Sequence, residues 1–179
     1  MPTKSTPGTP VTIRRGEARV WLQNASRSRS VPASARFRAW VRAAASGRIE
    51  VTIRLVGARE GSRLNFAYRG KDHATNVLAF AYDPPPQPPR AASGAASGAA
   101  AQPAQPTQLR GDIVLCPTVV AREARAQGKP LSAHYAHLTV HAVLHLRGYD
   151  HARPADAARM ERAEIRVLRR LGLPNPYLT

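Results

Sequence analysis

From Asp83 to Gln108 the chain runs on Pro, Ala, Ser, Gly and Gln, with Ala-Ala-Ser-Gly at 91–94 repeated at 95–98. Without aromatic residues or branched aliphatics, such a stretch cannot bury enough apolar surface to offset the entropy of ordering it. It is expected to be a disordered insertion, which a domain tolerates because loop-closure entropy grows only logarithmically with length. Residues 1–10, polar and proline-rich, read as a flexible tail. About 140 residues then remain to build a core. That is enough for one domain over 11–179, interrupted at 83–108, and too few for two.

The rest alternates between the period of a helix and that of a strand. Val11–Ile13 and Ala18–Leu22 are short strand candidates. Pro32 suits a helix start, and Phe37, Trp40, Val41 and Ala44 recur at helical spacing until Gly47. Ile49, Val51, Ile53 and Leu55 alternate with polar residues, as in a half-buried strand. A short helix over about 62–68 and a buried strand over 76–81 follow. Beyond the insertion, Ile113–Cys116 reads as a core strand, and Pro117 opens a helix that runs to Gln127. Two more helices, about 132–146 and 154–171, end at Gly148 and Gly172. Met160, Ile165, Leu168 and Leu171 give the last one its apolar stripe. The expectation is an α/β (α+β) single domain, a small mixed sheet of about four strands packed with about five helices.

Lys and Arg number 27 against 11 Asp and Glu, a formal charge of +16. Such an excess calls for a polyanion, a membrane surface or an acidic partner, and makes a neutral small molecule a poor sole substrate. Only three of the cations are lysines, Lys4, Lys71 and Lys129. The arginine fork is the better bidentate phosphate ligand, although arginine-rich codon usage gives the same ratio. Cys116 alone cannot form an intramolecular disulfide, which points to the cytoplasm. The longest apolar run, Val77–Tyr82, has six residues, far short of the roughly 20 of a membrane helix.

Five of the six histidines fall between His134 and His151. Among them His141, His145 and His151 form His-x3-His-x5-His. On a helix, positions 141 and 145 differ by roughly 40° and one turn, so both imidazoles leave the same face. Gly148 can adopt the left-handed conformation that ends the helix and returns His151 to the same point. Three imidazoles with a vacant position describe a catalytic zinc site on a zincin-like helix. The spacing matches that of metzincin proteases except that Ala142 stands where they carry the glutamate general base. A methyl group takes no proton, so the peptidase reading loses its acceptor unless Asp150 or Glu161 replaces it. His134 and His137 lie within roughly 80° of the same stripe. They either extend the site or are ordinary polar residues on a face entering a cleft. His73 stands alone and reads as a surface residue.

With these features on the page, the chain resembles the YbeY family of bacterial endoribonucleases. The resemblance is carried by Leu64-Asn65, Tyr68-Arg69-Gly70-Lys71-Asp72, Thr75-Asn76-Val77-Leu78, Gly111-Asp112-Ile113-Val114, the run from His137 to His151, and Asn175-Pro176-Tyr177. It departs from the family's usual pattern at Ala142, Ala74 and Ala79, all small residues. The resemblance implies a zinc-dependent, single-strand-specific endoribonuclease. Its role would be maturation of the 16S ribosomal RNA 3′ end and ribosome quality control, with the small ribosomal subunit as partner. It implies one zinc per chain at His141, His145 and His151. Arg69 would be the functional arginine, acting in catalysis and substrate binding, and Lys71 a secondary phosphate contact. A guanidinium meets two oxygens of a phosphoryl transition state, which gives Arg69 a physical case of its own. Asp112 would position a partner or, preferably, the backbone. The alternative is a non-catalytic ribosome-associated RNA-binding factor with a structural zinc, which requires a fourth ligand such as His137 or Asp150. Whether water or the ribose 2′-hydroxyl is the nucleophile stays open.

Overall fold

The structure, a computed structural model, describes residues 18–82 and 108–178. The expected tail, the strand at 11–13 and the 83–108 segment up to residue 107 lie outside them. Gln108 does not belong to that segment, because it begins a strand.

Four strands form one mixed sheet in the order β1 (Ala18–Asn24), β2 (Arg48–Leu55), β4 (Gln108–Leu115), β3 (Val77–Ala81). β1, β2 and β4 run parallel, and β3 pairs antiparallel along the free side of β4. β4 starts five residues before the expected Ile113, because Gln108, Arg110 and Asp112 are polar only on the outward face. Its other face places Leu109, Gly111, Ile113 and Leu115 against the core.

Helices α1 (Ser34–Ala44), α4 (Leu131–Leu146) and α5 (Pro154–Arg170) cover one face. Here Ile49, Val51, Ile53 and Leu55 of β2 meet Phe37, Trp40, Val41 and Ala44 of α1, the residues at which the helical spacing pointed. α2 (Ala58–Arg69) and the Val119 side of α3 (Pro117–Ala126) take the other face, around Val56, Leu78, Val114 and Cys116. α2 begins four residues before the expected Ser62. Gly61 lies within the helix and is buried, where an added Cβ would meet Ala74, Val56 and Cys116 at 3.5–3.7 Å, ordinary contact distance.

α4 is the central helix. Ten of its sixteen residues are buried, more than one amphipathic stripe provides, as expected of a helix enclosed on several sides. Ala142 is 1% exposed, and its small side chain lets α4 lie within the cluster. At the end of α4, Leu146 reaches Gly111, where a Cβ would stand 2.4 Å from the Phe80 carbonyl oxygen and 2.8 Å from a Leu146 methyl. In α5 the buried positions are Met160, Ala163, Glu164, Val167 and Leu168, whereas Ile165 is half-buried. The stripe is thus rotated from the sequence reading and contains a carboxylate.

Candidate metal centre

α4 holds His141 and His145 one turn apart and ends at Gly148. That glycine has φ 85°, and Gly148 N–H and Tyr149 N–H donate to the carbonyls of His145 and Leu144 at 2.9 and 3.0 Å. This left-handed turn reverses the chain, and Asp150 then accepts a 2.7 Å hydrogen bond from the His151 backbone N–H. The result is convergence: one ring nitrogen from each of His141, His145 and His151 lies within 4.8 Å of the others. The ring centroids stand 4.6 Å (141 to 145), 4.8 Å (145 to 151) and 5.6 Å (141 to 151) apart. Among the described residues no fourth His, Cys, Asp or Glu joins the group.

The protonation pattern follows from a residue that the sequence reading missed. Glu164 of α5 is 1% exposed. Its Oε1 lies 2.8 Å from His141 Nδ1, and its Oε2 lies 2.7 Å from His137 Nε2 and 2.5 Å from the Tyr177 hydroxyl. Burial pushes this carboxyl up, but hydrogen bonds from His137, His141 and Tyr177 outweigh it and hold the pKa down to about 2. A carboxylate only accepts, so His141 Nδ1 donates to it, which turns Nε2 toward the other two rings. His141 Nε2 lies 3.1 Å from His145 Nε2. Burial, with His141 and His151 alongside, lowers the His145 pKa to about 4, which keeps its imidazole neutral at pH 7. Three imidazoles aimed at one point, the first oriented by a carboxylate behind it, form a donor set that fits a divalent transition metal.

Helical spacing offered a signal for Glu164, since it falls midway between Met160 and Leu168 on the buried stripe. Substitution of Glu164 by glutamine is expected to weaken metal binding about 10- to 100-fold, because an amide presents a poorer acceptor to His141. Competition against a chromophoric chelator measures it.

His137 is engaged by Glu164, and its other nitrogen is buried without a partner among the described residues. His134 is 4% exposed and pairs with Glu123 at 2.9 Å, and Glu123 also accepts from Asn76 at 3.0 Å. His137 therefore supports the centre, while His134 belongs to a separate polar pair. Arg69 is the exposed last residue of α2, followed by Gly70 in the left-handed conformation and an exposed Lys71. Among the described residues no hydrogen bond or ion pair ties Arg69 or Lys71 to the triad. Asp112 sits in mid-strand, between Thr52 and Phe80 in register, and a hydrogen bond with it raises the pKa of Tyr82. His73 is exposed, as expected of a surface residue.

A family model described as Endoribonuclease YbeY matches residues 22–172. Proteins that carry this name are similar over most of their length. That of Aromatoleum aromaticum is 52% identical over 167 residues, 93% of this chain and 91% of its own. That of Thiobacillus denitrificans is 47% identical over 90% of this chain and 97% of its own. That of Nitrosomonas europaea is 43% identical over 99% and 98%. Likeness on this scale takes in the sheet, the helices and the histidine segment together, and the chain belongs to the YbeY endoribonuclease family.

Proposed function

We propose that this chain is a metal-dependent endoribonuclease of single-stranded RNA. In this reading it holds one zinc ion at His141, His145 and His151, works in the cytoplasm, and processes the 3′ end of 16S ribosomal RNA on the small subunit, with a part in ribosome quality control. The observation that carries the reading is the convergence of three imidazole nitrogens with no fourth protein donor among the described residues. Imidazole suits zinc, although nickel, copper and iron accept it too. Among the described residues no helix is long and apolar enough to cross a membrane.

Held by His141, His145 and His151, a divalent ion would supply Lewis-acid chemistry toward the scissile phosphate. The chain's own groups do the rest. Glu164, with His137 and Tyr177, fixes the His141 ring. Ala142 offers no proton acceptor where metzincin proteases carry their general base, which argues against that route of peptide hydrolysis. Arg69 would meet the phosphoryl oxygens in bidentate fashion, and Lys71 would hold a neighbouring phosphate. The formal charge of +16 draws the strand in. The non-catalytic alternative requires a fourth ligand that closes the site, and nothing among the described residues supports one.

The deciding experiment pairs metal analysis of the purified protein with cleavage of a defined single-stranded RNA. Chelation is expected to stop cleavage and zinc to restore it, and undiminished cleavage by metal-free protein would reject the reading. If about five phosphates are neutralised, log affinity falls against log salt with a slope near −3.5. Product ends then identify the nucleophile, because a 2′,3′-cyclic phosphate marks attack by the ribose hydroxyl.

A further inference from the structure

Facing away from the sheet, α2 carries Arg59, Ser62, Arg63 and Phe66 at successive helical turns, and with Asp72 they line an open groove of about 510 Å³. Phe66 is 61% exposed. Among the described residues no other ring packs on it and no ion pair engages Arg59 or Arg63. Of the nearby acids, Glu60 is occupied and Asp72 lines the groove itself. Glu60 pairs with Arg54 at 3.0 Å, and Asp72 faces the Ser62 hydroxyl at 3.5 Å. Phe66 is thus an apolar ring in water between two guanidiniums that lack ion-pair partners among the described residues. At roughly 100° per residue, the stripe from Arg59 through Arg63 and Phe66 leads to Arg69 at its edge. By contrast Tyr68, also exposed, is packed on Phe80 with ring centroids 4.6 Å apart. Phe66 is thus the ring with a free face.

We infer that the outer face of α2 is a binding subsite for single-stranded RNA, in which a nucleobase stacks on Phe66 while Arg59 and Arg63 contact the flanking phosphates. An aromatic platform inside a cationic groove is the usual means of holding a single strand without reading its sequence. The charge decides the occupant: two arginines against the single carboxylate of Asp72 favour an anionic chain, and a phosphodiester strand adds flat bases to stack on Phe66. The inference rests on the endoribonuclease reading and extends it: the strand is held along α2 on its way to Arg69, apart from the metal ligands.

The test measures binding of a fluorescent oligouridylate by anisotropy, on full-length protein carrying His145→Ala so that the strand is not cut. Adding Phe66→Ala is expected to weaken binding roughly 5- to 100-fold, and Phe66→Trp to preserve it. Arg59→Ser with Arg63→Ser should reduce the salt slope by about 1.4, or 0.7 for each phosphate released. Phe66 supports no core contact, so thermal melts of these variants should match the parent. Affinity for RNA within twofold of the parent, with an unchanged salt slope, overturns the subsite and assigns this face to another occupant such as an acidic polypeptide. If the protein with His145 intact neither binds nor cuts RNA, the endoribonuclease reading itself fails. If it cuts normally and the α2 substitutions leave RNA binding unchanged, the subsite alone is lost.

Discussion

His145→Ala is expected to lose bound metal on purification and to cut RNA no faster than background, while still folding and still binding RNA. His145 contributes one of three nitrogens that lie within 4.8 Å of one another. With two ligands left, the site no longer offsets the desolvation of a divalent ion in neutral solution. The Lewis-acid contribution to a phosphoryl transition state amounts to several kcal/mol, so its loss costs roughly a thousandfold in rate or more. The fold should survive, because the imidazole is half-buried at the rim and its closest ring neighbours are the other two histidines. RNA affinity should also survive, because it comes mainly from backbone contacts with cationic side chains remote from the ring. Elemental analysis, single-turnover cleavage and anisotropy on one preparation separate these outcomes. Cleavage at the parental rate by the metal-free variant would end the catalytic assignment.

Gly111→Ala is expected to be the most destabilising single-methyl addition in the described fold. The new Cβ would stand 2.4 Å from the Phe80 carbonyl oxygen and 2.8 and 3.3 Å from the two Leu146 methyls. Leu146 can rotate, but the Phe80 carbonyl belongs to the β3–β4 ladder and moves only if the strands part. Overpacking of a filled core typically costs 1–3 kcal/mol, and a backbone clash lies at the upper end, about 3 kcal/mol. For a chain of this size that lowers the melting temperature by roughly 6–12 °C. Because Leu146 follows His145 directly, the displacement should also loosen the metal centre, and metal affinity should fall along with stability. Gly57→Ala is the control, since nothing lies within 4 Å of its would-be Cβ, and it should melt close to the parent. A melt of Gly111→Ala within 2 °C of the parent, roughly 0.5–1 kcal/mol, would show that the strand relaxes more easily than the packing implies.

The two substitutions draw on different kinds of information in the sequence. Spacing alone marked the helix that carries the histidine pair: residues four apart share a face, and a glycine three residues later permits the reversal, whatever surrounds them. Local periodicity likewise determined α1 and β2, whose buried residues are those the pattern marked, because each meets the core along one face. Periodicity failed where neighbours in space set the requirement. Gly61 sits inside a helix, at a buried position where a Cβ would meet Ala74, Val56 and Cys116 at 3.5–3.7 Å, so packing on the sheet rather than local propensity sets the helix start. β4 begins at Gln108 because its polar residues face outward and its alternate residues meet the core.

Glu164 is the clearest case. Written on an apolar stripe it looks like a mismatch, since a buried lone carboxylate is costly. Tertiary structure makes it an acceptor for His137, His141 and Tyr177, donors 27, 23 and 13 residues away along the chain. The sequence by itself determined which side chains could hold a metal ion, because that depends on helical geometry within one segment. Only the tertiary structure decided how the first of them is aimed, because the carboxylate that accepts from His141 is delivered by another helix.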